Sequence, residues 1–389
     1  MNTPAPEVSS RVSFTLGTYR VRKPEDTWSI ISPDLHEFGI TRVADVTGLD
    51  NVGIPVAMAV RPLSQTLSVS QGKGRTLLLA KVSAAMEAIE LWHAENIPSA
   101  LSNFRATGAE LDLPYAVTDL EADPGSVTGP WTPLHWVTGQ ALLSGRPVPL
   151  PRDTVSLAAK DPLTWRAAGL ASTTNGLASG NNRAEATLHA LYEVLERDAV
   201  ARSQEGRARV DNIDPSTVDH GDCQTLITRL HTAGCYVELS RIASTGPVHC
   251  FTTRVWSEDF PVMAFGSGAH THEEVALSRA LTEAAQSRLT AIAGSRDDMT
   301  RFYDYVRLGL VDRPVPPADV QPWDSLPRPT TPTLSDLENE VHRLAKYLDS
   351  QGRVPIVVDL SSRDDFAVVK VVVPGLTMDP RARPAATAA

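Results

Sequence analysis

Two stretches of this chain carry the hydrophobic pattern of a surface helix turned inside out. From Thr76 to Trp92 the sequence is almost wholly apolar: Leu77, Leu78, Leu79, Val82, Ala84, Ala85, Met86, Ala88, Ile89, Leu91 and Trp92. Residues advance about 100° each around a helix, so Thr76, Ser83, Glu87 and Glu90 share one stripe about 60° wide. An ordinary amphipathic helix shows the reverse, an apolar stripe of roughly 100° or more beside a broader wet face. The second stretch runs from about Arg183 to Gln204. Its Asn182, Glu185, His189, Glu193 and Glu196 fall within about 80° of one another, with Arg197 alongside. Ala186, Leu188, Ala190, Leu191, Val194, Leu195, Ala199 and Val200 cover most of the remainder. Each stretch follows a glycine-bearing segment, Gly72-Lys73-Gly74 or Gly176-Leu177-Ala178-Ser179-Gly180, which is expected to be a loop.

Around these two helices the pattern predicts mixed structure. A strand pair is expected at Thr41–Thr47 and Ile54–Val60, turning through Gly48–Gly53. Strands are expected at Trp136–Leu142, near Val148, at Tyr236–Ile242, His249–Trp256, Val262–Gly266, Val354–Leu360 and Phe366–Val373. Helices are expected at Pro215–Ala233, His272–Ala293 and Leu334–Ser350. The Pro-rich residues 311–334 read as an exposed linker. Strands and helices intermix without strict alternation, so the fold class is α+β with layered mixed sheets and helices. Residues 1–16 read as a disordered lead, 17–378 as one domain or two closely packed lobes, and 379–389 as a flexible tail.

Carboxylates at one-turn spacing repel, and burying them is costly unless they are paired or bound to a cation. The stripes therefore either face water or arginines such as Arg183 and Arg279, or they hold something positive. Hard oxygen donors suit Mg²⁺, which usually joins carboxylates to phosphate oxygens. Lys73, Arg197 and Arg288 could offset the remaining phosphate charge. Two helices built alike favour the second alternative. Glu87, Glu90, Glu193 and Glu196 are the candidate metal ligands, and ATP with Mg²⁺ the candidate cofactor. A two-metal hydrolase would also use clustered carboxylates.

Composition narrows the field. The 389 residues are 42% hydrophobic with a net charge of −10 and no long basic run, which argues against a nucleic-acid partner. Cys223, Cys235 and Cys250 have neither the spacing of a zinc site nor an even count for disulfides, and read as small buried hydrophobes. No apolar run approaches the roughly 20 residues of a membrane span, and no signal peptide is evident, so a cytoplasmic protein is expected. Walker, Gly-x-Gly-x-x-Gly, Gly-x-Ser-x-Gly and His-Glu-x-x-His motifs are all missing.

Taken in order, the remaining pieces resemble the YcaO family. They are Gly72-Lys73-Gly74 before Ser83-x-x-x-Glu87-x-x-Glu90, the Gly176–Gly180 segment before Glu185 and Glu193–Asp198, and Glu283-x-x-Gln286-x-Arg288 followed by Arg296-Asp297-Asp298. Val357–Leu360 and Val371–Leu376 close the set, and Gly17–Arg20 with Pro24–Thr27 opens it. The resemblance implies an ATP site formed by Glu-bearing helices, lined by Ser83, Glu87, Glu90, Asn181, Glu185, Glu193, Glu196 and Arg197. Arg20, Thr27, Gln286 and Arg288 would be further nucleotide contacts. It implies ATP-dependent O-phosphorylation of a peptide backbone amide, giving a thioamide, azoline or amidine according to the nucleophile. No catalytic residue beyond the nucleotide site is named by it. Two departures stand out. Glu90 is followed by Leu91-Trp92 where the family usually has arginine, and the Pro-x-Pro-x-Pro tail of azoline-forming members is absent. Glu87–Glu95 looks most like the TfuA-associated branch, which makes thioamides in ribosomally synthesised peptides. The expected partners are a precursor peptide and a TfuA-like or separate leader-binding protein, with a homodimer by analogy. A non-catalytic scaffold that only docks the precursor is the competing class.

Overall fold

The structure is a computed structural model, and it describes residues 9–99, 101, 103–158, 169–243, 246–296, 308, 313–326 and 333–377. Helix α1 (Pro24–Ile31) precedes β1 (Arg42–Asp45), β2 (Val56–Val60) and β3 (Val69–Lys73), which leads into α2 (Leu77–Glu95). Then come β4 (Phe104–Thr107), β5 (Pro133–Ala141), β6 (Pro147–Pro151), β7 (Leu177–Gly180) and α3 (Arg183–Gln204). They are followed by β8 (Val210–Ile213), α4 (Gly221–Thr232), β9 (Tyr236–Ile242), β10 (His249–Trp256), β11 (Ala264–His270) and α5 (Glu273–Ala293). The last elements are β12 (Val320–Gln321), α6 (Leu337–Ser350), β13 (Ile356–Asp359) and β14 (Ala367–Val372). The α+β class holds.

The chain forms two compact units, each built from separated segments. The first takes Met1–Val12, Ile89–Glu205 and Leu334–Ala389. Its sheet runs β4-β5-β13-β14-β7, with β6 paired to β5, and all its pairings are antiparallel. Helix α3 packs on β7 and β14, and α6 packs on α3. Both faces of β13 and β14 are covered, so Ile356, Val357, Val358, Val368, Val369 and Val371 are all buried with no alternation, and Lys370 is the one polar residue set among them on β14.

The second unit takes Ser13–Ala88 and Gly206–Thr333, so the division falls within α2, between Ala88 and Ile89. It holds a three-stranded sheet, β1-β2-β3, and a five-stranded sheet, β11-β10-β9-β8-β12. Helix α5 packs on β11 and β10 and also on β3. Its core joins Leu277, Leu281 and Ala284 of α5 to Leu226 and Leu230 of α4 and Phe251 of β10.

The glycine-bearing segments expected as loops are mostly strands, with Gly74 just past β3 and Gly176 in the turn before β7 at a positive φ. Gly72 lies on β3 and Gly180 on β7, and in each case the following helix folds back onto the glycine. A Cβ on Gly72 would come 2.8 Å from Ala84 Cα, and one on Gly180 would come 2.9 Å from the Glu185 carbonyl carbon. The glycines are thus required by close helix–strand packing, not by a turn. The expected exposed linker is also partly ordered. Val320 and Gln321 pair in parallel with Asn212 and Ile213, and Trp323 is buried in the core of the second unit because its indole completes the apolar surface around Phe251. Residues 311–312 and 327–332 of that linker lie outside the described residues.

At the N-terminus, residues 9–12 of the expected loose lead are paired. Arg11 bridges Asp336, and the Val12 amide donates to the Ser335 carbonyl. Residues 1–8, the tail 379–389 and the Asp297-Asp298 piece lie outside the described residues. Helix α3 and strands β9 and β10 fall where the pattern puts them. The first six residues of the helix expected at 215–233 are instead a 3-10 turn, Pro215–Thr217, and a short connection before α4 starts at Gly221.

Candidate functional site

In the first unit the carboxylates cluster on α3 and at the C-terminal end of α2. The N-terminus of α3 is fixed by a reciprocal arrangement. Asn182 Oδ1 accepts the Glu185 amide at 2.9 Å, and the Glu185 carboxylate accepts from the Asn181 amide at 3.2 Å and from Asn181 Nδ2 at 2.9 Å. Asn181, Glu185 and Glu196 are all buried. Glu193 is half-buried, and Arg197 Nε stands 4.0 Å from it, too loose and too exposed to fix its position strongly. Arg183 donates to Gln140 and not to a glutamate. In this stripe Glu185 and Glu196 are buried, while Glu193 keeps part of its surface toward water.

Glu90 is anchored from the strand. The Ser179 amide and hydroxyl both donate to Glu90 Oε1, at 2.7 and 2.6 Å. The two bonds fix the direction of the carboxylate. Nearby in the same unit lies the buried Lys370 of β14, whose Nζ donates to the Thr173 carbonyl at 2.5 Å. Burial pulls its pKa down to about 8, against the opposing fields of Glu193 and Glu121.

The remaining expected residues lie in the second unit. Ser83 and Glu87 lie in the middle of α2 and are half-buried. Lys73, the last residue of β3, pairs with Glu283 of α5 at 2.6 Å. Gln286 Nε2 donates to the Gln71 carbonyl at 3.4 Å. Arg288 is fully enclosed. Its guanidinium donates to Asp50 at 3.1 Å, Ser257 at 2.7 Å and Asp259 at 3.2 Å, and lies over the Phe260 ring. Thr27 is buried on α1 with its hydroxyl on the Lys23 carbonyl, and the Arg20 backbone bridges Phe14. All three cysteines are free and buried, as their sequence context implies.

A feature not read from the sequence is that three strand–helix pairs share one register. Gly72 of β3 faces Ala80 and Ala84, and Gly268 of β11 faces Ala276 and Ala280, at the same separations in sequence. Gly74 meets Leu79 and Ala80 as Gly180 meets Glu185 and Ala186. In this register Glu87, Glu193 and Glu283 are equivalent, and so are Glu90, Glu196 and Gln286. Comparing the chain with itself at these two long offsets would have exposed the repeat and singled out Glu283.

Residues 71–377 match the family profile described as YcaO cyclodehydratase, ATP- and Mg²⁺-binding. The chain belongs to the YcaO family. Within it, the chain is 39% identical over 378 residues to an uncharacterised protein of Mycobacterium tuberculosis, covering 93% of this chain and 83% of that one. It is 35% identical over 387 residues to a Rhizobium leguminosarum protein described by its place in the tfuA 3′ region, covering 92% and 89%. The fold matches that of YcaO from Methanopyrus kandleri bound with AMPPCP and Mg²⁺, with a TM-score of 0.73, 27% identity and 95% of each chain covered. As a YcaO protein this chain is an ATP-dependent peptide-modifying enzyme that uses ATP and Mg²⁺.

The first unit's donors fit that metal. They are carboxylate and amide oxygens, the hard set that Mg²⁺ prefers, and Glu90 is already oriented by Ser179. Among the described residues no three His, Cys, Asp or Glu side chains converge on a metal position by themselves. That also fits Mg²⁺, which is usually held by one or two carboxylates together with substrate phosphates and water. No helix among the described residues is long and apolar enough to cross a membrane.

Proposed function

We propose that this enzyme phosphorylates the oxygen of a backbone amide in a ribosomally synthesised peptide, and that its product is a thioamide made with a TfuA-like partner. The observation that carries the nucleotide part is the clamp on Glu90, a helix carboxylate given a fixed direction by two strand donors. We assign Glu87, Glu90, Glu193 and Glu196 as metal ligands. Ser83, Asn181, Glu185 and Arg197 are assigned to the nucleotide, with Arg20, Thr27, Lys73, Gln286 and Arg288 as further contacts. Mg²⁺ held by these glutamates would neutralise charge on the phosphates. The chain's own residues do the rest. The glutamates fix where phosphate oxygens sit, and Arg197 offsets charge on them as it develops.

The chemistry balances without an oxidant. Sulfide adds to the amide carbon, and the resulting oxygen anion attacks the γ-phosphorus, releasing ADP. The C–O bond then breaks, inorganic phosphate departs with the oxygen, and loss of a proton leaves C=S. A poor leaving group has become a good one. The tfuA-region relative supports sulfide as the nucleophile. The family description as a cyclodehydratase supports a second reading, in which a side-chain thiol or hydroxyl of the same peptide attacks and an azoline forms.

The test has two parts. Calorimetry with AMPPCP should give Mg²⁺-dependent binding that is lost in Glu87→Gln and in Glu196→Gln while each variant melts like the parent. Mass spectrometry of the precursor peptide, incubated with ATP, sulfide and the TfuA-like protein, should show oxygen exchanged for sulfur. Loss of one water instead would establish the azoline reading. Unchanged turnover in both glutamine variants would remove the metal assignment.

A further inference from the structure

A hydroxyl and a base meet in the first unit with no part in the nucleotide site. His93 lies on α2, three residues past Glu90, and is 1% exposed. Its Nδ1 is 2.7 Å from the Ile89 carbonyl oxygen, and its Nε2 is 2.8 Å from Ser362 Oγ. A carbonyl oxygen can only accept, so Nδ1 carries the hydrogen. In the neutral ring Nε2 is then a lone pair, and the Ser362 hydroxyl donates to it. That is the tautomer a general base needs, fixed by a third group. The third group here is a main-chain oxygen instead of a carboxylate.

The surroundings hold both partners still. The Trp92 and Phe366 rings stand edge-on to the imidazole, at 5.0 and 5.9 Å. Ser362 lies in the connection between β13 and β14. On one side of it, Ser361 gives its amide to Asp359 at 3.0 Å, and its hydroxyl accepts the Val368 amide at 3.0 Å. On the other, Arg363 is forked onto Asp365 at 3.1 and 2.6 Å and lies over the Phe366 ring. The base is buried and the serine is exposed, so the hydroxyl is the member of the pair that a solute meets.

Burial and charge select the electrophile. A buried imidazole can take the hydroxyl proton but cannot hand it to a departing alcohol or amine. The leaving group must depart as an anion, as the thiolate of a thioester or the phosphate of an acyl phosphate does. Around Ser362 the chain carries three carboxylates, Asp359, Asp364 and Asp365, against Arg363. That excess disfavours a phosphate dianion and leaves the thioester, which is neutral at its reacting end.

We propose that Ser362 is a nucleophile activated by His93, and that it accepts an acyl group from a thioester. Oγ attacks the thioester carbonyl carbon as its proton passes to His93 Nε2. The C–S bond breaks and the sulfur leaves as thiolate. An acyl-serine remains, and the imidazolium gives its proton to water. Nothing is oxidised or reduced. This acyl acceptor is a second site, independent of the nucleotide reading.

The experiment treats the full chain with S-phenyl thioacetate, follows thiophenolate release by absorbance and maps acetyl groups by peptide mass spectrometry. One acetyl is expected at Ser362, lost in Ser362→Ala and formed about 100-fold or more slowly in His93→Gln. Ser144 is the internal control, an exposed serine whose hydroxyl is bonded to the Arg146 amide instead of a base. A second readout needs no variant to fold: in urea the parent keeps Ser362 but loses its base, and Ser362 should then react at the rate of Ser144. No acetyl at Ser362, equal rates at Ser362 and Ser144 in the folded parent, or an unchanged rate in His93→Gln overturns the proposal. Acetyl phosphate at the same concentration should acetylate Ser362 more slowly, and a faster reaction overturns the choice of thioester.

Discussion

Ser179 gives both its amide and its hydroxyl to a single oxygen of Glu90. The strand residue thereby dictates which way a helix carboxylate points. Groups that orient a metal ligand commonly alter metal affinity by about 10- to 100-fold when removed. Ser179→Ala keeps the amide bond and deletes the hydroxyl bond. Mg²⁺-dependent AMPPCP binding should weaken about 10-fold, with a stability loss of only about 1 kcal/mol. Calorimetry paired with a thermal melt checks both. Unchanged affinity in Ser179→Ala would remove Glu90 from the ligand set.

The strand glycines make a sharper structural prediction. In Gly72→Ala, Gly180→Ala and Gly268→Ala the new methyl would collide with helix backbone, which has no rotamer with which to escape. Each should lose about 3 kcal/mol or more, at or above the usual range for overpacking. Gly221 is the control. It sits in the first turn of α4 with nothing within 4 Å of a built Cβ and no positive φ. Gly221→Ala should be neutral or stabilise by a few tenths of a kcal/mol, because the unfolded chain loses freedom. Urea denaturation of the four variants separates the two kinds of glycine.

That contrast also shows what could be read from the chain. The acidic seams on α2 and α3 were legible because a helix repeats every 3.6 residues and buried glutamates stand out against leucine and alanine. The strands before them were not, because glycine in a strand looks like glycine in a loop until the partner helix is in place. Trp323 was hidden in a Pro-rich segment for a similar reason: its burial depends on Phe251, distant in sequence. The clamp of Ser179 on Glu90 joins residues 89 positions apart, which no local pattern reveals. Arg288 could be read from the sequence as a cation able to offset phosphate charge, whereas its enclosure by Asp50 and Asp259 came only from the fold.

The enclosure of Arg288 can be tested apart from catalysis. Asp50 is nearly as buried as Arg288, and removing one partner of a buried pair typically costs about 3–5 kcal/mol. Arg288→Met should lose stability on that scale, and Asp50→Asn added to it should recover part of the loss. Arg288→Lys keeps the charge but not the three-way fork, and should fall between. A double-mutant cycle by chemical denaturation gives the coupling. If Arg288→Met instead kept full stability and lost AMPPCP binding, the residue would be a nucleotide contact before a structural one.

The last prediction concerns acid. His249 on β10 faces His270 across the β10–β11 pairing, and both are buried. Burial, with help from Arg241 and His272 and against the pull of Glu274, lowers the His249 pKa to about 4. His270 is pushed well down too, first by burial and then by Arg279 and its neighbours. Both rings are neutral in the fold, whereas the unfolded chain protonates them near its ordinary value of about 6.5. Between about pH 6.5 and 4 the unfolded state therefore binds more protons, and stability falls as the pH falls. The share due to His249 is complete above about pH 6.5 and is lost toward pH 4, at most about 3 kcal/mol for a shift of that size. His249→Gln stays neutral at every pH, so its unfolding free energy should decline less than the parent's between pH 7 and 4.5. An identical decline in the variant would place the acid sensitivity on other groups, with His270→Gln the next variant to measure.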